Sequence, residues 1–181
     1  MPLLTTRLLL AITLTLMVSQ AASQVCLRDI TPQTITSANF DFSIEEEAKD
    51  KLSGLTWKRC VFGQTWKDNS CVGAPKKLTW QEALIKASEL NDSGETWRLP
   101  DVNELSTIID RQCVSPPINL SIFPDNPASM DNGLWSSTPY VVEGDEKTNA
   151  WYINLGFGEV DYRETTSKNF VRFVTGTPQS F

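Results

Sequence analysis

The chain contains no histidine. Histidine is the base in most nucleophilic triads and the commonest metal ligand, so Ser–His and Cys–His catalysis are excluded. There is no Gly-rich phosphate loop. There is no CxxC pair, so the four cysteines do not carry a zinc-ribbon spacing. Basic residues are outnumbered, 16 Lys and Arg against 22 Asp and Glu. No run of them is clustered as nucleic-acid phosphates require, and the balance also argues against polyanions of the heparin kind. Acid–base chemistry would fall to carboxylates, Lys or Tyr, and no recognisable carboxylate pair exists. No cofactor is expected.

Long apolar runs are also scarce. The one present is Leu8 to Val18, behind Arg7 and ahead of the small residues "SQAAS". Eleven residues are too few to span a bilayer, which takes about 20. The pattern predicts a signal peptide over residues 1–23, with cleavage after Ala21 or Ser23 fitting equally well. Val25 precedes Cys26 where a lipoprotein would carry a small residue. Removing residues 1–23 leaves 158 residues (181 − 23), enough for one domain with a core. Arg7 is the only charge lost, so the net charge moves from −6 to −7. The expected location is outside the cytoplasm, in the periplasm or at the cell surface, with no further membrane-spanning segment.

Cys26, Cys60, Cys71 and Cys113 all lie in the exported part. An even count in an oxidising compartment predicts two disulfides, for which three pairings exist. Cys60 and Cys71 bracket "VFGQTWKDNS", expected as a short polar loop, which suits a local staple. That choice leaves Cys26 with Cys113.

Residues 24–53 are expected to be an N-terminal arm followed by a first strand. In "NFDFSI" the apolar Phe40, Phe42 and Ile44 alternate with polar residues, as on a half-buried strand. "EEEAKDKLSG" is expected as a solvated charged turn rather than a cation site. "LTWKRCVF" is a second strand candidate. "LTWQEALIKASELNDSG" opens with Thr79 and Glu82 in capping-box spacing, and Trp80, Ala83, Leu84, Ala87 and Leu90 follow at helical period. In "TWRLPDVNEL", Pro100 disfavours helix at Leu99, and Asp101 with Glu104 repeats the capping box. Val102, Leu105, Ile108 and Ile109 would form the apolar stripe of that second helix. Trp97 and Leu99 then point one way and Arg98 the other. Arg98 is either a ligand-binding cation or a tie to loop carbonyls or a carboxylate through its fork of donors, and the tie is the expected role.

The rest reads as strand and loop. "SPPINLSIFPDNPASMDNG" is broken by four prolines, and "LWSSTPYVV", "NAWYINLGFGEVDYRE" and "NFVRFV" are strand-like. Helices in the middle with strands at both ends predict an α+β domain over residues 54–175, with residues 176–181 as a tail. Asp125, Asn126, Asp131 and Asn132 form an oxygen-rich set compatible with Ca²⁺, but without EF-hand spacing. Turns favour the same residues.

The motifs "LTWKRC", "LTWQEALIKASEL", "WRLPDVNEL", "INLSIFP", "LWSSTP", "AWYINLGFG" and "VRFV" occur in the order of a known family. Over residues 54–175 the chain resembles the Legionella collagen-like protein C-terminal domain family, found in bacterial exported proteins. That resemblance implies a C-type-lectin-like fold, loop-rich, with the two ends of the domain paired as neighbouring strands. The namesake member is an adhesin domain that binds sulfated glycans. This chain is acidic, has no collagen-like stalk, and lacks the calcium-dependent sugar motifs of true C-type lectins.

The expected function is therefore an exported, non-enzymatic binding module for a surface glycan or protein. The alternative is a structural or accessory subunit of an envelope assembly, and a carboxylate-based enzyme ranks last. The ligand surface is expected within 138–164. Trp151, Ile153 and Leu155 would face the core. Tyr152 and Asn154 would face solvent beside Tyr140, Asp161, Tyr162 and Arg163. Flat aromatics beside polar groups suit sugar or protein contact.

Overall fold

The computed structural model describes residues 24–91, 96–124, 133–141, 143–144 and 147–177. In chain order, the elements run β1 (Val25–Cys26), β2 (Phe40–Asp41), β3 (Glu47–Asp50), β4 (Thr56–Lys58), β5 (Thr65–Lys67) and β6 (Ser70–Val72). The helices α1 (Trp80–Glu89) and α2 (Val102–Ser106) follow. Then come β7 (Cys113–Val114), β8 (Gly133–Tyr140), β9 (Asn149–Asn154), β10 (Val160–Glu164) and β11 (Val174–Thr175). This is an α+β arrangement of small sheets, every strand pair in them antiparallel.

One sheet has the order β11-β4-β3-β2 and another β10-β9-β8. The last strand thus returns to the start of the domain, with Val174 opposite Trp57 and Thr175 opposite Thr56. One core cluster joins the two sheets through Trp57, Phe123, Leu105, Leu134, Ile153 and Val174. A second lies under α1 and gathers Ala83, Ala87, Trp97, Leu99, Trp135 and Phe173. Among them runs Arg172, nearly inaccessible to solvent. Its guanidinium donates to the carbonyls of Lys58 (2.7 Å) and Arg59 (2.6 Å) and lies 4.4 Å over the Phe123 ring. A cation survives there because backbone oxygens and an aromatic face replace its hydration.

Both disulfides form as expected, Cys60–Cys71 and Cys26–Cys113. In the chain-entropy account, the link of 87-residue separation limits the unfolded chain more than the one of 11. The first connects strand β6 to the segment after β4. The second pairs β1 with β7 and ties the arm to the chain beyond α2.

Three local expectations are corrected. Ile44 is not on a core face with Phe40 and Phe42 but 52% exposed. Strand β2 stops after Asp41, whose carboxylate accepts from the Ser43 amide (3.0 Å) and hydroxyl (2.7 Å) and turns the chain. "EEEAKDKLSG" is not a solvated turn, since Glu47–Asp50 is strand β3. Ala48 enters the core, and Glu47 is held by Lys58 at 2.8 Å across the sheet. The stretch between Cys60 and Cys71 is a hairpin rather than a loop, with Trp66 opposite Cys71. Its tip, Asp68 and Asn69, has φ of 50° and 58°. Two adjacent left-handed residues make the turn that matches strand twist, and Asp and Asn tolerate it best after glycine.

Both helices start at the predicted caps. Helix α2 ends early, because Ser106 and Thr107 donate their hydroxyls to the Val102 and Glu104 carbonyls at 2.7 Å each. Ile108 and Ile109 lie beyond the helix, yet both are buried.

Candidate functional site

Strands β8, β9 and β10 put alternate residues on opposite faces. Tyr140 lies opposite Asn149, and Tyr162 opposite Trp151. Tyr140, Trp151 and Tyr162 therefore share a face with Ile153. On that face α2 packs against β8 and β9. Five helical residues extend only about 7.5 Å, too short to cover strands of six to eight residues. The three aromatics occupy the uncovered end. Tyr140 and Tyr162 stack at 4.2 Å with 28° between rings, and Trp151 stands edge-on to Tyr140 at 4.7 Å. Tyr162 is 47% exposed, and Tyr140 and Trp151 are half-buried. The Lys147–Glu164 ion pair lies one step along β10 on the same face.

The opposite face holds a different set. Tyr152, expected to face solvent, is only 4% exposed. Its ring meets Trp135 edge-on at 6.1 Å and lies across Gly133. A Cβ at Gly133 would come 2.2 Å from the Tyr152 ring, so only glycine fits there. Arg163 covers the ring at 4.6 Å and donates to Asn169 Oδ1 (2.9 Å) and to the Tyr152 hydroxyl oxygen (3.3 Å). The Tyr152 hydroxyl in turn donates to Asp161 at 3.4 Å. Burial, against the opposing Arg163 charge, pushes the phenol above its ordinary value. Asn154 lies at the β9–β10 turn, where Oδ1 accepts from the Gly156 amide at 2.7 Å.

The structure thus divides the residues predicted together. Tyr140 and Tyr162 meet on one face. Tyr152, Asp161 and Arg163 meet on the other, where they brace one another. Asn154 shapes a turn. Trp151, assigned to the core from the sequence, joins the exposed cluster instead. It does share a face with buried Ile153 and Leu155, so the alternation was sound. What the sequence does not carry is where the short helix stops covering that face.

The "TWRLP" segment packs into the domain. Trp97, Leu99 and Pro100 are buried. Arg98 forms a two-pronged pair with Glu104, both contacts at 2.6 Å, and also donates to the Gly176 carbonyl at 3.0 Å. Asp125, Asn126, Asp131 and Asn132 lie outside the described residues. Among the described residues, no group of three or more His, Cys, Asp or Glu side chains is placed to hold a metal. A cleft of about 330 Å³, which the sequence reading did not locate, opens between the β5–β6 hairpin and the end of α1, lined by Phe62, Trp66, Leu90 and Phe173.

These features define an α+β domain stapled by two disulfides. Among the described residues no helix is long and apolar enough to cross a membrane. A family model, the Lcl C-terminal domain, matches residues 46–175, or 130 of 181 positions (175 − 46 + 1). The chain belongs to that family, and the match takes in β3 through β11. No curated protein and no solved structure matches the chain.

Proposed function

We propose that this chain is an exported, non-enzymatic binding module on a C-type-lectin-like scaffold, located in the periplasm or at the cell surface. It presents Tyr140, Trp151 and Tyr162 to a surface glycan or protein. The observation that supports this reading is the exposed three-ring cluster on a rigid antiparallel sheet. Aromatic rings with polar tips bind partners at low entropic cost, and binding energy concentrates in such residues. The disulfides and the export signal read from the sequence agree with an oxidising compartment.

The test is a glycan array and pull-down on the purified chain, followed by titration of Tyr140→Ala, Trp151→Ala and Tyr162→Ala against the captured partner. Each is expected to weaken binding by about 2 kcal/mol, roughly thirtyfold, at nearly native melting temperature. Arg163→Ala should instead lower stability, because it uncovers Tyr152. Co-purification with an envelope complex, insensitive to all three aromatic changes, would replace this reading with the accessory-subunit one.

A further inference from the structure

Away from the aromatic cluster, the arm and the chain after α2 enclose a polar cavity of about 610 Å³. Small-molecule sites are about 300–1,000 Å³. One wall comes from residues 24–37, which precede the family match, and the other from residues 110–121. The Cys26–Cys113 disulfide fastens the two walls together.

Asp110 belongs to the wall and is 0% exposed. Its Oδ1 accepts from the Gln112 amide (3.1 Å) and the Thr34 hydroxyl (3.4 Å). Its Oδ2 is buried and finds no partner among the described residues. An open oxygen on a buried carboxylate is costly unless a cation or donor meets it.

The neighbouring amides indicate the sign of that missing group. Gln24 spends its Nε2 on the Pro116 and Ile118 carbonyls, both at 2.7 Å. Gln112 spends Nε2 on Thr31 O (2.7 Å), and Asn119 spends Nδ2 on Ile35 O (2.8 Å). Both Gln24 amide hydrogens are thus committed, which leaves Gln24 its oxygen alone to offer, while Gln112 and Asn119 each keep one amide hydrogen. Arg28, exposed and always charged, lines the same cavity. The cavity therefore has one carboxyl group in its buried wall and one guanidinium at its exposed side. That polarity opposes a bare metal ion and suits a ligand bearing both signs.

We propose that this cavity binds a free α-amino acid, its ammonium group at Asp110 and its carboxylate toward Arg28. An ammonium has three donors and no acceptor, which matches Asp110 Oδ2 and the Gln24 oxygen. The site is independent of the aromatic cluster.

The test is calorimetry on the disulfide-bonded chain with the common amino acids singly, and with ethylamine, acetate and CaCl₂ as probes. At least one amino acid should bind saturably, ethylamine more weakly, and acetate not at all. Arg28→Ala should weaken amino-acid binding by about tenfold and leave ethylamine unchanged. Asp110→Asn should abolish both. Should Asp110→Asn not fold, the Arg28→Ala split between amino acid and ethylamine decides. Absence of amino-acid binding, binding indifferent to Arg28→Ala, or binding of Ca²⁺ alone would each overturn the proposal.

Discussion

Helices α1 and α2 begin with the same device. Thr79 accepts from the Glu82 amide, and Glu82 reaches back to the Thr79 amide at 2.8 Å. Asp101 accepts from the Glu104 amide, and Glu104 reaches back to the Asp101 amide, also at 2.8 Å. Yet Glu82 stands in solvent, while Glu104 is 5% exposed and takes both prongs of Arg98. The helices differ in length as well, ten residues against five. The first four amides of any helix have no partner inside it. In α2 those are nearly all the amides there are, so its cap supplies what the helix cannot supply itself. A motif that merely trims α1 holds α2 together, and through Arg98 it also fixes the chain's return at Gly176.

The largest test of this contrast is to break the pair. Arg98→Ala leaves a buried carboxylate without its counter-charge, and Glu104→Ala takes the carboxylate from the Arg98 guanidinium and the acceptor from the Asp101 amide. Arg98 is partly exposed, so each should cost about 3 kcal/mol, the low end for a buried pair. In a chain of this size that lowers the melting temperature by about 6–12 °C. The double variant should lose clearly less than the sum, since the two act as one unit. Strict additivity would show the pair to be uncoupled.

Next in size is the cap itself. Asp101→Ala should cost about 2 kcal/mol and Thr79→Ala about 1 kcal/mol, both read by denaturant titration. Equal costs would remove helix length from the explanation.

The third test is pH. Burial raises the Glu104 carboxyl, but the Arg98 and Asp101 hydrogen bonds and the Arg98 charge outweigh it and hold it below its ordinary value. A carboxyl depressed in the folded state stabilises fully above its unfolded value, about 4.3 for Glu, and loses that contribution as pH falls through the folded value. The melting-temperature gap between the native chain and Glu104→Gln should therefore be constant near neutrality and narrow in acid. A gap that widens in acid would reverse the sign of the argument. The smallest effect belongs to Glu82→Ala, which should leave the melting temperature within the scatter of surface substitutions in the same assay.

Those caps were legible in the sequence because they are local. Four residues contain donor, acceptor and spacing, and nothing distant can change the pattern. The disulfide pairing was legible for a similar reason, as one short polar stretch selected Cys60 with Cys71. Strand β3 was not legible, because Glu47 and Lys58 neutralise each other only once two strands are paired. Tyr152 was misplaced because its face of β9 is also covered, and Trp151 because α2 stops short of its end of the sheet. Alternation identifies two faces but does not say how far each is covered. Asp110 was missed because its isolation depends on an arm 76 residues away, which supplies Thr34.

The hairpin tip at Asp68 and Asn69 has a consequence for covalent topology. Both residues are exposed, and both disulfides span the peptide bond between them, one joining residues 60 and 71 and the other 26 and 113. A protease cutting there would produce two chains that remain cross-linked at two places. The nicked molecule should migrate as a single species without reductant and as two bands with it. Its cut ends would stay in register across β5 and β6, so the tip is a place where the backbone can be opened without the molecule coming apart.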